Sequence, residues 1–190
     1  MMPDLYTSTG APDAYGGGIE ICDWDPGSAH FEAIADLFTN TWPKRYVRES
    51  ARIRLMDHAL INNFRGLAAI TYHGRVAGFC YGHTCIPGQW WHDQVQRWLG
   101  DDRTETEVSG SFNFTELAVD PEFQRRGIGR ALQESLIGSC GHVCATLSTP
   151  CGNTPAIELY KSTGWSMLVP KMFFSDVKEP FSVMGRRLIK

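Results

Sequence analysis

The stretch with the clearest chemical meaning is Gln124-Arg125-Arg126-Gly127-Ile128-Gly129-Arg130-Ala131. It follows an apolar, β-rich segment, Phe114 to Val119, which ends at Asp120-Pro121. Two glycines let a backbone approach a ligand closely, and the first N–H groups of the helix that follows lack intrahelical partners. Such a turn can cradle a phosphate, and Arg125, Arg126 and Arg130 would add positive charge where a diphosphate would sit. Those arginines could equally be solvated surface charge. Basic residues at a helix start oppose its dipole, however, and that favours a phosphate contact. A dinucleotide-binding turn would need a third glycine where Leu132 stands, and a Walker A loop would need Gly-Lys-Ser/Thr. Neither fits.

The chain has 190 residues, 43% of them hydrophobic and 21% charged, with a formal charge of −3. This suits one globular domain, argues against nucleic acid or an anionic membrane as the main partner, and leaves no run of the ~20 apolar residues a membrane span needs. Residues 1–18 end in Gly16-Gly17-Gly18 and read as a flexible arm before a domain over 19–190. They lack a basic segment followed by an apolar core, so no signal peptide is expected and the expected setting is cytoplasmic. Cys22, Cys80 and Cys144 fall in strand-like runs and read as small hydrophobes. Cys140, His142, Cys144 and Cys151 contain no Cys-x-x-Cys pair, so neither a metal site nor a disulfide is expected.

The elements that must carry the glycine turn follow from periodicity. Ile19–Trp24 reads as a strand and Asp25-Pro26 as a helix start, with Phe31, Ile34, Ala35 and Phe38 on one face. A second helix is predicted from about Arg45 to Leu60, with Ile53, Met56 and Leu60 inward. Leu67–Tyr72 and Val76–His83 form a hairpin through His73-Gly74. His83 is expected at a surface or turn, with an acceptor site as the alternative. Ile86 to Gly110 reads as an insert. Trp91, Val95, Trp98 and Leu99 share a helical face there, and Asp101, Asp102, Glu105 and Glu107 follow. Its aromatics are expected to pack on the core, and an aromatic, acidic lid that draws in a cationic amine is the alternative. Phe112–Val119 is the central strand, on which alternation puts Phe112, Phe114, Glu116 and Ala118 on one face. After the glycine turn come a helix, a strand over Val143–Ser148, a short helix from Asn153-Thr154-Pro155 to Gly164, and two closing strands. An aromatic loop through Phe173, Phe174 and Pro180 joins those two.

This order, with Glu116 to Glu122, Arg75 to Phe79, Gln124 to Ala131 and Leu159-Tyr160-Lys161-Ser162-Thr163-Gly164-Trp165, resembles the GNAT (Gcn5-related N-acetyltransferase) family from Ile19 to Leu188. Gln124 to Gly129 matches the family pattern Gln/Arg-x-x-Gly-x-Gly/Ala. Tyr160 to Trp165 matches Tyr-x-x-x-Gly-Phe, with Trp replacing Phe. The resemblance implies an α/β fold: a single GNAT-like domain with a mixed central sheet of about seven strands flanked by helices, plus the extra helical insert. It also implies acetyl-CoA as co-substrate and direct acetyl transfer to an amine. The insert and the aromatic closing loop could narrow the acceptor cleft, so a small molecule is expected as acceptor. Acetylation of a protein or peptide and a non-catalytic acyl-CoA sensor are the alternatives. A homodimer is compatible with the resemblance.

Residue by residue, the resemblance places the backbone of Leu117, Ala118 and Val119 along the pantetheine arm. Gln124 and the amides of Arg125, Arg126, Gly127, Ile128, Gly129, Arg130 and Ala131 fall at the diphosphate. Asn153 either bonds the cofactor or caps its helix. Glu116 is the candidate base, acting directly or through water, with a structural ion pair as the other reading of a carboxylate in an apolar strand. Tyr160 is the candidate acid toward the departing thiolate, or else a core tyrosine.

Overall fold

The computed structural model describes residues 18–188, so the arm expected over 1–18 lies outside the described residues except for Gly18. Seven strands form one sheet in the order β1-β2-β3-β4-β5-β7-β6. The strands are β1 Ile19–Asp23, β2 Arg65–Thr71, β3 Val76–Thr84, β4 Phe112–Val119, β5 Cys144–Pro150, β6 Ser166–Met172 and β7 Phe181–Arg187. Every neighbouring pair is antiparallel except β4 with β5. The helices are α1 Phe31–Thr41, α2 Arg48–Ala59, α3 Trp90–Leu99, α4 Asp101–Glu107, α5 Ile128–Ser139 and α6 Thr154–Ser162. Among the described residues, no helix is long and apolar enough to cross a membrane.

Three apolar clusters hold the layers together. Leu132, Leu136 and Ile137 of α5 pack with Leu67, Phe112, Phe114, Leu147 and Tyr160 on one side of the sheet. Phe31, Ile34, Phe38, Ala51 and Leu55 of α1 and α2 pack with Trp24, Phe79, Tyr81 and Ala118 on the other. The insert closes the far end, where Val95 and Leu99 meet Val169, Met172, Phe174 and Val183. Each is an amphipathic element burying its apolar stripe.

Four expectations are corrected. The first helix begins at Phe31, because the Asp25 side chain accepts from Gly27 N and closes a turn instead of capping a helix. In α2 the inward residues are Ala51 and Leu55, while Ile53, Met56 and Leu60 are exposed. Arg48 and Arg52 reach Glu32 of α1, and those pairs belong to a rotation of α2 that turns its larger apolar residues to solvent. In the insert Val95 and Leu99 are buried as expected, but Trp98 is half exposed and leans on Phe173. Finally, β4 does not alternate throughout. Tyr81 pairs with Glu116 and Gly82 with Phe114, so Thr115 is an extra, bulged residue. Phe112 and Phe114 face α5, whereas Ala118 lies in the α1–α2 cluster, and the bulge carries Glu116 to that second face with it.

Gly82 permits this bulge. A Cβ there would meet the Asn113 carbonyl at 2.4 Å and the Phe112 ring at 2.5 Å, neither of which can swing away. Gly82→Ala is expected to cost about 1–3 kcal/mol by overpacking, read as a lower urea midpoint. An unchanged midpoint would show that the strands have slack to give.

Candidate functional site

Although β4 and β5 each run seven or eight residues, they pair only at Phe112–Ala145 and Asn113–Thr146. Beyond that point they part. One edge of β4, from Phe114 to Val119, therefore has no strand partner and presents free backbone groups, which need another partner or water. A cavity of about 690 Å³ opens at the parting and reaches both faces of the sheet. Its wall includes Phe38, Trp42 and Arg54 from the α1–α2 side, Ser148 to Pro150 of β5, and Asn153, Ala156 and Tyr160 from the α6 side.

Glu116 sits on this wall, its side chain partly accessible through the cavity but deep among protein atoms. The Trp42 indole N–H donates to its carboxylate, 3.2 Å from each oxygen. Burial pushes its pKa up to about 7, against the opposing pull of Trp42, Arg54, the Leu117 backbone N–H and Arg45. Among the described residues it forms no ion pair within 4.0 Å, so the structural ion pair considered for it is not made.

Tyr160 is buried between Phe114 and Trp165, with ring centroids at 6.4 and 5.9 Å, and it also lines the cavity. Burial, then the charge of Glu116, raises its pKa, so the phenol holds its proton at neutral pH. The bulge and the parting of the strands bring Glu116 and Tyr160 from opposite faces of the sheet to one cavity.

The glycine turn lies beyond the cavity, at the far end of the open edge. Gly127 is left-handed at φ 83° and ends the turn, and Arg125 is also left-handed at φ 62°. The Ala131 N–H bonds back to Gly127 O, so the N–H groups of Ile128, Gly129 and Arg130 precede the first helical bond. A Cβ on Gly129 would touch Val119, Leu159 and Leu117 at 3.6–3.8 Å, which places the helix start directly over the open part of β4. Gln124 donates to Val119 O and thereby caps one of its unpaired carbonyls. The Arg126 guanidinium lies over Phe123, whereas Arg130 donates to Ser162 and ties α5 to α6. Asn153 accepts from Ala156 N as a helix cap while also lining the cavity.

Several wall residues carry no signal in the sequence pattern. Trp42 sits in the interruption after α1. Arg54 and His58 fall on what the apolar pattern of α2 presents as its solvent side. Yet Ala51, Arg54, Leu55 and His58 have the i, i+3, i+4, i+7 spacing of a helix face, and that spacing could have shown them together. His83, expected at the surface, is buried and lines the cavity. The Tyr81 hydroxyl is 3.1 Å from His58 Nδ1. Trp90 of the insert stacks on Phe174 of the β6–β7 loop at 5.0 Å, and the two close one side. The acidic run of α4 does not contribute to the wall.

The sequence model of the Acetyltransferase (GNAT) family matches residues 31–165. A GCN5-like protein acetyltransferase of Mycobacterium tuberculosis is 32% identical over 131 residues, which are 64% of this chain and 63% of that protein. The [Ribosomal protein bS18]-alanine N-acetyltransferase of Salmonella typhimurium is 36% identical over 87 residues, 39% of this chain and 59% of that one. The chain thus spans less than two thirds of the length of these curated relatives. A GCN5-related N-acetyltransferase from Kribbella flavida superposes with a TM-score of 0.65 at 20% identity, covering 90% of this chain and 98% of its own, and so shares the fold. With the open strand edge and the glycine turn at its end, the match over residues 31–165 establishes that this chain belongs to the GNAT acetyltransferase family.

Proposed function

We propose that the protein is an acetyl-CoA-dependent N-acetyltransferase that moves an acetyl group directly onto the amine of a small-molecule acceptor. The observation that carries this reading is the continuous track from the unpaired amides of Ile128–Arg130, along the open edge of β4, into a cavity holding Glu116 and Tyr160. The residues present fit the cofactor. Leu117, Ala118 and Val119 offer backbone groups to the pantetheine amides in the manner of an added strand. The helix start offers N–H groups to a diphosphate, with Arg125 and Arg126 beside it. Gln124 squares the edge through Val119 O, and Asn153, whose oxygen caps α6, keeps its NH2 for the cofactor. Acetyl-CoA, when bound, supplies an activated acetyl thioester.

Glu116 removes the proton that would otherwise block the acceptor nitrogen, since an ammonium has no lone pair to attack with. A carboxylate titrating near 7 is matched to that task at neutral pH. Tyr160, still protonated, hydrogen-bonds the departing thiolate. Trp42 holds the Glu116 carboxylate in place, and Trp90 and Phe174 help exclude water. Acetylation of a protein N-terminus or lysine is the second reading, favoured by the names of the curated relatives, a protein acetyltransferase and a ribosomal-protein alanine N-acetyltransferase. The aromatic closure of the cavity by the insert and the β6–β7 loop supports a small acceptor instead.

Because the base must be ionised, kcat/KM is expected to fall as pH drops through about 7. Glu116→Gln should lower kcat more than about tenfold and flatten that limb. Stability runs the other way. A carboxyl whose folded pKa is raised binds its proton more tightly folded than unfolded, so the native state loses stability as pH rises from about 4.5 to 7. Glu116→Gln is therefore expected to melt higher than wild type at about pH 8 and alike at about pH 4. A lower melting temperature at pH 8, with wild-type turnover, would make Glu116 a structural partner.

For Tyr160→Phe, single-turnover acetyl transfer is expected to slow by roughly 10²–10⁴-fold with acetyl-CoA affinity nearly intact. Equal single-turnover rates would remove Tyr160 from the chemistry.

A further inference from the structure

The acceptor side of the cavity holds a cation that acetyl transfer does not use. Arg54 lies on α2 one turn before His58, and its guanidinium carbon stands 5.6 Å from the centre of the Tyr46 ring. Among the described residues no carboxylate comes within 4.0 Å of it. The other wall arginine is different. Arg45 is paired with Glu179 at 2.6 Å and packed against Trp42 and Phe181, so its charge is already matched. Of the two acids on the wall, Asp176 is solvent-exposed, and Glu116 is the base proposed to receive the amine proton.

The Tyr81 hydroxyl hydrogen-bonds Arg54 and Glu116 attracts it from beyond 4.0 Å, but its two histidine neighbours add no negative charge. Burial first, and then Arg54 itself, push His58 down to about 3, and burial with a contribution from Arg54 lowers His83. Both rings are therefore neutral, and His58 engages the Tyr81 hydroxyl. The result is a half-buried guanidinium over the Tyr46 ring, on the cavity wall, with no carboxylate within 4.0 Å among the described residues. Leaving a charge so placed is costly, and an anionic ligand removes the cost. A guanidinium offers a planar fork of donors that matches a carboxylate at two points.

We infer that the acceptor is a small primary amine that also carries a carboxylate, as a free amino acid does, with Arg54 taking the carboxylate and Glu116 the amine. This assignment rests on the acetyltransferase reading above and names its substrate class. It also excludes a class: a second cation on the acceptor would face Arg54 and be repelled. A neutral amide in place of the carboxylate would leave the guanidinium unpaired, which is how polar sites reject near-isosteres.

The test uses the full chain with acetyl-CoA and each of the common amino acids beside its carboxamide and its decarboxylated amine. A polyamine, an aminoglycoside and short peptides serve as comparators. Thiol release gives kcat/KM, and thermal shift with coenzyme A present gives binding independently of turnover. At least one amino acid is expected to exceed its carboxamide by roughly 10–100-fold, the scale of a hydrogen bond to a charged group. That amino acid, and not its carboxamide, should raise the melting temperature. Arg54→Gln should bring the ratio close to one with acetyl-CoA affinity unchanged, and Arg54→Lys should keep part of it. If Arg54→Gln does not fold, the wild-type ratio and Arg54→Lys decide. Transfer to carboxamides, peptides or polycations with equal or better efficiency overturns the carboxylate assignment and leaves acetyl transfer standing. Acetyl-CoA binding with no transfer to any amine overturns both.

Discussion

The architecture depends on the parting of β4 from β5. Two parallel strands held together at only two positions leave an unpaired edge inside a seven-stranded sheet, where most proteins would tolerate none. The bulge at Thr115 sets the direction of β4 at that point and turns Glu116 toward α1 and α2. Nearly everything at the site follows from these two facts. The cavity exists because the strands separate, Glu116 reaches it because of the bulge, and Tyr160 reaches it because α6 follows β5 across the gap. The free backbone of β4 is left for whatever lies against it, apart from the Val119 carbonyl that Gln124 occupies.

The same geometry sets the electrostatics. Glu116 is ionisable, surrounded by protein and held by one indole N–H, so the fold favours its neutral form until pH approaches about 7. A hydrophobic residue there would serve stability better at neutral pH. That a carboxylate occupies the position is a local conflict between folding and chemistry, of the kind expected where a site works. Arg54 is a second conflict: a cation placed among aromatics and two neutral histidines, with no carboxylate within 4.0 Å among the described residues. Neither group contributes to packing as its neighbours Phe38 and Phe79 do.

How much of this was legible in the sequence depended on the length scale of the signal. The order of strands and helices was, because periodicity is written in each segment, and the glycine turn was, because left-handed Gly127 and the helix start are local. Two kinds of information were not. The bulge is a register choice between β3 and β4, decided partly by the close approach at Gly82, and alternation counted along β4 alone put Glu116 on the wrong face. The rotation of α2 was the other. Ile53, Met56 and Leu60 and the stripe Ala51, Arg54, Leu55, His58 have nearly the same helical spacing, and only the tertiary partners choose between them. The more apolar stripe is the one turned to solvent, and Arg54 and His58 lie on the other.

These misses fall on one half of the site. The half proposed to take the donor is made of backbone: the open edge of β4 and the amides of the glycine turn, which need glycines and a register but few particular side chains. The acceptor half is made of side chains from α2, the insert and the β6–β7 loop, elements that meet only once the chain has folded. A protein that shares only the fold shares the course of the backbone, while the side chains of the second half are free to differ. The fold alone accordingly says nothing of the acceptor in this chain. Under the proposed function, what bears on it is Arg54, a wall cation with no carboxylate within 4.0 Å among the described residues, together with Glu116, whose pKa burial pushes up to about 7.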